Sequence, residues 1–348
     1  MQMWRYAGPF AFLAAVPLLF RISEAAPFLV PLAILASLLI VHRLPYTVAK
    51  QPSAHFRLLP AIYIPLQLAG IVWAAYAIAQ PGATSAAFMS LAVSMGVCTG
   101  TFGVLAAHEM VHSHSRRHRQ LGSALLTGMS YRHFRIAHVY GHHRFAATER
   151  DASTARFGEN FYIFLGRTLP AQWRGAWRFE QRRCRANCRT FLRNTLIQDG
   201  AIMFAIYSLL FFSLGERAAF FFAVESAVAI LVLEAFNYVA HYGLMRRVHR
   251  GRPEPMADHH SWNSGGAGNL LMFNMGHHSH HHRAPSISYD GLEPALAAPA
   301  LPGGYAGAIL LALVPPLWHA IMDQRVLAVR GERESSYAAQ SRPATAIP

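Results

Sequence analysis

The histidines of this sequence are concentrated in four short groups beside long apolar runs, and imidazole is the side chain that most often binds metal ions. The groups read His108-Glu-Met-Val-His112, His138-Val-Tyr-Gly-His142-His143, Tyr238-Val-Ala-His241 and His278-Ser-His-His281-His282. So many imidazoles at one end of apolar segments predict metal chemistry on an apolar substrate.

Helical spacing indicates how the first three groups could grip metal. His108 and His112 are four residues apart, so on an α-helix they share a face. His138 and His142 repeat this spacing, and His143 points about a quarter-turn away, which suits a helix that serves two metals. His241 ends an apolar run, as His108 does, so both are expected at the same membrane depth.

The fourth group is ambiguous on spacing alone. His278, His281 and His282 form one helical set, and His277, His280 and His281 form another. A single histidine is more often an ordinary surface or hydrogen-bonded residue. Four groups at matched depth are different, because a polar ring near hydrocarbon is costly unless it is paired or bound. We therefore expect metal binding.

The number of histidines favours two metals. His108-Glu109-Met-Val-His112 matches the zinc protease motif, in which Glu109 would be the general base and one more ligand would suffice. Nine histidines exceed one tetrahedral site and suit two metals with four or five nitrogens each and an open position. Imidazole binds Zn, Cu, Fe and Ni alike. An apolar bundle with a polar metal end favours oxidation of a hydrocarbon by iron and dioxygen over hydrolysis, which needs a polar group to attack.

Apolar runs predict an all-α integral membrane bundle of about six transmembrane helices. A run of about 20 apolar residues crosses a hydrocarbon core of about 30 Å. The predicted spans are residues 7–20, 26–41, 58–79, 86–107, 196–214 and 218–240, of which the first two are short enough to be buried core helices instead. We expect one domain over residues 1–330 and a polar, disordered C-terminal tail over 331–348.

Charge is distributed unequally between the two sides of such a bundle. The net charge is +14, and with six spans 29 of the 31 Lys and Arg residues lie on the histidine side. Only Arg21 and Arg217 lie opposite, so the histidine side is predicted to be cytoplasmic. This pattern argues against nucleic acid as a partner. Arginines there can instead hold anionic lipid headgroups or an acidic protein.

These residues resemble the membrane alkane hydroxylases, within the broad fatty acid desaturase-like superfamily. That family carries H-E-x-x-H, E-H-x-x-G-H-H, N-Y-x-E-H-Y-G-L and H-S-D-H-H motifs. The four groups match them, and the third reads Asn237-Tyr238-Val-Ala-His241-Tyr242-Gly243-Leu244. Supporting matches include Asp151 after the second motif and residues 260–264 before the last, and the resemblance covers roughly residues 58–326.

The resemblance implies two non-haem irons and favours His278, His281 and His282 over the alternative set. The implied metal ligands are His108, His112, His138, His142, His143, His241, His278, His281 and His282. No catalytic residue beyond these ligands is expected. Electrons would come from a separate rubredoxin or ferredoxin-type donor with its reductase, because no cysteine-rich module is fused here. The expected location is the bacterial inner membrane, among its lipids.

Three family carboxylates are replaced in this chain. Ala137 and Ala240 stand where glutamates precede the second and third motifs, and His280 replaces the aspartate of the fourth. Each change removes a group that could orient a ligand. The residues expected to contact and orient ligand imidazoles are Glu109, Asp151, Glu234 and His280, and for Glu234 a purely structural hydrogen bond is an equal alternative.

The resulting hypothesis is hydroxylation of the terminal methyl of an alkane or similar chain, with dioxygen as oxidant. Fatty-acyl desaturation or hydroxylation and aromatic-methyl hydroxylation of the xylene type are alternatives with the same architecture. A non-catalytic metal carrier would place ligands along a pore inside the spans, and a metalloprotease would use zinc. The carrier is less favoured because the histidines gather at one membrane face, and the metalloprotease is less favoured because there are too many histidines for one tetrahedral site.

Overall fold

The structure is a computed structural model that describes residues 3–47, 54–188 and 190–340, and it is dominated by helices, as predicted. The helices are α1 (Gly8–Phe20), α2 (Leu29–Val41), α3 (Leu58–Ala79), α4 (Ser85–Cys98), α5 (Val104–Val111), α6 (Arg116–Gly128), α7 (Phe134–Ile136), α8 (His143–Phe145), α9 (Phe161–Ala186), α10 (Thr195–Leu214), α11 (Glu216–His241), α12 (Gly268–Leu271), α13 (His278–Arg283), α14 (Gly304–Ala312) and α15 (Pro315–Gln340). Two-residue strands β1 (Val248–His249) and β2 (Arg252–Pro253) pair antiparallel.

Two π-helical segments interrupt the regular helices. Thr99–Gly103 joins α4 to α5, and Ala137–His142 joins α7 to α8. Short 3₁₀ turns lie at Met3–Tyr6, Ala26–Phe28, Ala54–Arg57, Phe191–Arg193, Asp258–His260 and Tyr289–Gly291. Such π segments hydrogen-bond from residue i to i+5 and are frequent at functional sites.

Four helical stretches are long and apolar enough to cross a membrane. They are Leu58–Ala79, Ser85–Val111, Thr195–Leu214 and Glu216–His241. These bounds match the sequence prediction closely, because each run is closed by turn or capping residues. The Asn194 side chain, for example, accepts a hydrogen bond from the Leu196 N–H at the start of α10. Helices α1 and α2 are apolar but have only 13 residues each, so the count of six spans stays a prediction.

Close packing of α4 on α11 holds the centre of the bundle. A Cβ atom on Gly100 would lie 2.6 Å from the Ala229 carbonyl oxygen, and one on Gly96 would lie 2.8 Å from that of Glu225. Glycine is therefore required at both positions. Small residues that let two backbones approach are typical of helix pairs in membranes.

Helix α6 turns back from the end of α5 toward the membrane core. It packs along α5 and then against α3, where Gly128 meets Leu68 and Ile71. Residues 116–128 therefore belong to the bundle.

The C-terminal part differs from the expectation of disorder after residue 330. Helix α15 begins at Pro315, buries Trp318 and Met322, and continues to Gln340. Residues 331–340 are thus helical, and residues 341–348 lie outside the described part of the chain. The domain division at residue 330 stays a prediction.

Candidate metal centre

The nine predicted ligands come together at one end of the apolar helices. His108 lies in α5, His112 follows its last residue, and His241 is the last residue of α11. The second motif supplies its histidines from the π segment Ala137–His142 and from α8, and the fourth supplies its histidines from α13. Four separate stretches of chain therefore meet at this point.

The histidines divide into two groups. The five-histidine group contains His108, His112, His138, His143 and His281, and the four-histidine group contains His142, His241, His278 and His282. In each group, one ring nitrogen per residue lies within 4.8 Å of one nitrogen from every other member. This division gives five and four nitrogens, within the range expected from the sequence.

The second motif pairs differently from the prediction. His138 and His143 share the five-histidine group, with 2.9 Å between their Nε2 atoms, whereas His142 faces the four-histidine group. The prediction that His138 and His142 face one metal assumed an α-helix and was wrong. In a π segment the backbone hydrogen bonds run from residue i to i+5 and the repeat is longer, so His143, five residues after His138, can lie on the same side as His138.

Helix α13 serves both groups through its regular spacing. His278 and His282 are one turn apart, their Nε2 atoms are 3.1 Å apart, and both face the four-histidine group. His281 faces the other group. His277 instead lies against the Tyr46 hydroxyl, and the Nδ1 atom of His280 accepts a hydrogen bond from the Glu293 N–H. The structure thus separates the two sets that spacing alone left open.

The nitrogen geometry fits metal ions. In the four-histidine group the Nε2 atoms of His241, His278 and His282 form a triangle with sides of 3.0–3.1 Å, and the Nε2 atom of His142 is 3.2 Å from that of His282. A neutral imidazole has one N–H, so these contacts cannot all be hydrogen bonds. A metal ion that binds nitrogen at about 2.0–2.1 Å would hold two neighbouring nitrogens about 3 Å apart.

Burial keeps the rings in the form that metals bind. Loss of water and repulsion from neighbouring imidazoles lower the pKa of His138, His143, His278, His281 and His282 well below the ordinary value. The same causes lower the pKa of His112 to about 4. These imidazoles are therefore neutral at pH 7, as a metal ligand must be.

Among the four residues expected to orient ligands, Asp151 contacts one. Its carboxylate oxygen lies 2.8 Å from Nδ1 of His142 and also accepts a hydrogen bond of 2.7 Å from the Thr154 hydroxyl. Burial alone would raise the pKa of Asp151, but His142 and these hydrogen bonds outweigh it and lower the pKa. His142 therefore donates from Nδ1 and presents Nε2 to its group.

The other three residues serve different partners. Glu109 accepts hydrogen bonds from Arg57 at 3.0 Å and from the Tyr289 N–H at 3.1 Å. Those bonds tie α5 to the segment after α13. Since Glu109 is occupied in this way, it does not resemble the free general base of a zinc protease.

Glu234 accepts hydrogen bonds from the Tyr131 hydroxyl and the Gln172 amide, both at 2.9 Å, and from the Asn237 amide at 3.2 Å. These bonds link α11 to α9 and to the segment before α7. This is the structural alternative named for Glu234, and its carboxylate contacts no ligand imidazole.

Two contacts that hold ligand rings in place, one on His241 and one on His138, were not expected from the sequence. His241 Nδ1 lies 3.4 Å from both the His260 carbonyl oxygen and the Ser261 hydroxyl. The ring of Phe134 stacks on His138 with centroids 4.8 Å apart. Residues 260–264 were noted as a family match, which was the signal available for the first contact. For Phe134 there was no signal.

A third cluster, Glu254, His259 and His260, also has metal-ligand types. However, His260 Nδ1 accepts a hydrogen bond from the Ala257 N–H, and its Nε2 lies 3.0 Å from a Glu254 oxygen. Both ring nitrogens are thus used within the loop, which positions the carbonyl that His241 contacts.

The replaced carboxylates leave apolar positions. Ala240 is fully buried, and its carbonyl accepts a hydrogen bond from the Trp262 N–H. Ala137 packs beside Ile136, Ala176 and Leu196. No carboxylate from elsewhere in the described residues replaces them on the histidines, and Asp151 is the one acid that contacts a ligand ring.

Helices of membrane-crossing length that end in two buried histidine groups define a membrane protein with a site suited to two metal ions. Comparison with known proteins agrees. The fatty acid desaturase family model matches residues 83–309. The chain belongs to this family and, within it, to the membrane alkane hydroxylases.

Individual curated relatives show which members of the family this chain is similar to. The chain is 37% identical to alkane 1-monooxygenase 2 of Pseudomonas aeruginosa over 80% of this chain and 75% of the relative. It is 34% identical to alkane 1-monooxygenase of Pseudomonas putida over 80% and 70%. The hydroxylase component of the xylene/toluene monooxygenase of Pseudomonas putida is 29% identical over 76% and 72%. The protein is accordingly an oxidoreductase like the alkane 1-monooxygenases.

Proposed function

We propose that the two histidine groups bind two non-haem iron ions and that the protein hydroxylates the terminal methyl of an alkane or a similar apolar chain. The observation that carries this proposal is the convergence of nine imidazoles into two adjacent groups at the end of apolar membrane helices. The relatives named as alkane 1-monooxygenases support the choice of substrate and reaction.

The proposed ligands are those of the two groups. His108, His112, His138, His143 and His281 would hold one iron, and His142, His241, His278 and His282 would hold the other. Bound iron would supply the activation of dioxygen, which side chains alone cannot provide. Overall, one oxygen atom enters the terminal C–H bond, the other becomes water, and two electrons and two protons are consumed.

In this proposal, residues around the histidines orient the ligand rings, exclude water and offer apolar surface to the substrate. The Asp151 carboxylate fixes the His142 ring, and the His260 carbonyl and Ser261 hydroxyl face the His241 ring. Phe134 covers His138, and Phe236 lies edge-on to His278 at 5.6 Å. Aromatic cover of this kind keeps water from the rings and offers apolar surface to a hydrocarbon.

We propose a separate rubredoxin or ferredoxin-type electron donor, supplied by its own reductase. Such donors need an acidic surface to dock on the arginine-rich side of this chain. We also propose a bacterial inner membrane location with the histidine groups on the cytoplasmic side, because Arg21 and Arg217 are the only cations assigned to the other side in the six-span arrangement.

The test is anaerobic purification with metal quantification, followed by incubation with octane, an electron-donor system and ¹⁸O₂. We expect about two irons per chain and label in 1-octanol. Zinc in place of iron, or 1-octanol without label, would contradict the proposal.

A second candidate is hydroxylation of an aromatic methyl group, favoured by the match to the xylene/toluene enzyme. Incubation with xylene under the same conditions separates the two. Faster formation of labelled methylbenzyl alcohol than of labelled 1-octanol would favour this candidate, whereas an alkene or hydroxy acid from a fatty-acyl substrate would favour the desaturase alternative.

A further inference from the structure

A cavity of about 1090 Å³ lies between α3, α6 and α10, beside the histidine groups. One part of its wall is apolar and comes from two membrane helices, with Ile71 and Val72 on α3 and Leu209 and Leu210 on α10. The other part is strongly basic. The arginines that line it are Arg116, Arg119, Arg132, Arg135 and Arg183.

In the basic part of the wall, the arginines outnumber the carboxylates that could neutralise them. Asp199 pairs with Arg132 at 2.7 Å and with Arg135 at 2.8 Å, and Glu180 pairs with Arg183 at 2.7 Å. These two carboxylates leave three positive charges in excess.

Two of the three excess charges belong to Arg116 and Arg119, and the third is shared by Arg132 and Arg135, which both contact Asp199. Within the described part of the chain, no carboxylate lies within ion-pair distance of Arg116 or Arg119, both of which are solvent-accessible. The Nε atom of Arg183 is buried and has no hydrogen-bond partner among the described residues. Arg119 donates to the Ser113 and His114 carbonyl oxygens but has no carboxylate to balance its charge. An anion in the basic part would pair with the charges of Arg116 and Arg119 and accept a hydrogen bond from Arg183 Nε.

The basic part and the apolar part of the cavity wall lie one after the other along the direction that crosses the membrane. The cavity wall on α10 runs from Thr195, at the start of the helix, to Leu210. At 1.5 Å per residue this is about 22 Å, and one leaflet of hydrocarbon is about 15 Å deep. The wall therefore changes from charged to apolar over the length of one lipid, from its headgroup to its chain.

The position of the basic part, at the same end of the cavity as the histidines, argues against an alkane or fatty-acid substrate in this cavity. The arginines lie at the same end as His112, which also lines the cavity. An alkane has no charge to meet them. A fatty acid with its carboxylate on the arginines would point its methyl end away from the histidines.

We propose that this cavity binds an anionic phospholipid of the leaflet that faces the histidine groups. The phosphate contacts Arg116, Arg119 and Arg183, and one acyl chain lies between α3 and α10. Basic residues beside membrane helices attract anionic headgroups, which matches the headgroup half of the wall. Binding of this lipid does not depend on the metal that the histidines hold.

The first experiment tests the headgroup contacts. The full-length protein in nanodiscs of equal phosphatidylglycerol and phosphatidylcholine is released into detergent, and bound lipid is counted by native mass spectrometry. We expect the unchanged protein to retain phosphatidylglycerol. The double variant R116Q/R119Q should bind it about tenfold more weakly or worse, because charge-assisted hydrogen bonds are lost.

The control is R178Q/R182Q, which removes the same charge from exposed arginines of α9 that do not line the cavity. It should retain phosphatidylglycerol. Equal retention by both double variants would overturn the proposal, as would preference for phosphatidylcholine in the unchanged protein.

The second experiment tests the chain position without changing charge. Val72 lines the cavity and is 61% exposed, so Val72→Trp should fill the apolar part and lower phosphatidylglycerol retention severalfold. Leu66→Trp is the control, because Leu66 is 48% exposed on α3 but lies outside the cavity lining. Undiminished retention by Val72→Trp overturns the proposal even if R116Q/R119Q does not fold.

Two competitors identify the source of the anion. Displacement of phosphatidylglycerol by inorganic phosphate would show that the site recognises the anion alone, and displacement by palmitate at equal concentration would show a single-chain ligand. Either result would overturn the phospholipid assignment, and resistance to both would support it.

Discussion

The five-histidine group has more ligands, whereas two of the rings in the four-histidine group have a polar contact behind them. In the four-histidine group, His142 Nδ1 faces the Asp151 carboxylate and His241 Nδ1 faces the His260 carbonyl. Nδ1 of His278 and His282 in the same group is buried without a hydrogen-bond partner among the described residues, as is Nδ1 of His108 and His143 in the five-histidine group. A polar contact behind the ring fixes its tautomer and direction. The five-histidine group therefore has the larger number of ligands, and the four-histidine group has two ligands whose direction is fixed by a polar contact.

Removal of a ligand should have the largest effect and should differ between the groups. His241→Ala leaves three histidines in its group, whereas His112→Ala leaves four. We expect His241→Ala to lose about one metal ion per chain, and activity to fall more than about 100-fold, because even residues that only orient ligands change affinity or activity by about 10–100-fold. His112→Ala should retain more metal. Mass-spectrometric metal analysis and octane turnover measure both, and equal metal loss would remove the proposed difference.

The second-largest effect should come from removing the carboxylate that orients the His142 ring. Asp151→Asn keeps the shape of the side chain but removes its charge, so His142 becomes a weaker ligand. We expect metal affinity or activity to fall by about 10–100-fold. Glu109→Gln is the matched control, because Glu109 is a buried acid beside the five-histidine group that contacts Arg57 rather than a ligand ring. A larger loss of metal in Glu109→Gln than in Asp151→Asn would contradict the assignment.

A change in helix packing should disturb both groups together. Helices α4 and α5 lead to His108 and α11 leads to His241, and Gly100 sets the distance between these helices. Gly100→Val forces the backbones apart and should destabilise the protein by about 1–3 kcal/mol. Gly166→Ala is the control, because nothing lies within 4 Å of its added Cβ. Thermal unfolding in detergent compares them, and an unchanged melting temperature for Gly100→Val would refute the packing argument.

Stability should depend on pH through two buried histidines outside the two groups. Burial lowers the pKa of His133, just before α7, and of His277, next to α13, to about 4 in each case. The unfolded chain binds these protons near pH 6.5, before the folded chain does. The stability that these two histidines contribute to the folded state is therefore fully present above about pH 6.5 and is lost as the pH falls toward 4.

The smallest expected effect is a change in this slope. His133→Gln should make the stability of chelator-treated protein less dependent on pH between 6.5 and 4, as measured by SDS-induced unfolding. His249→Gln, at an exposed position of β1, should leave the slope unchanged. The same slope in both variants would show that His133 does not contribute.

The sequence predicted most of the membrane helices, because apolar length and turn residues are local signals. The run 58–79 was placed within the bounds that α3 has. The prediction for 218–240 was short by two residues at the start and one at the end of α11. The path of α6 could not be foreseen, since Arg116 and Arg119 are exposed and yet line a cavity between helices.

The candidate site was predictable in membership but not in pairing. The motifs named the nine histidines, yet the division of His138, His142 and His143 depends on a π segment that α-helical spacing does not reveal. Likewise, Asp151 could be named from a family match. For His260 the family match at residues 260–264 pointed to the segment but not to the contact, because every residue type has the same backbone carbonyl.

The π segment has a geometric consequence for the distance between the two centres. His142 and His143 are adjacent in the chain but face different groups, and so are His281 and His282. Their ring centroids are 5.8 Å and 5.7 Å apart. Two pairs of neighbouring residues, on two different segments, therefore connect the groups, so the groups cannot move far apart without a change in the backbone of both segments.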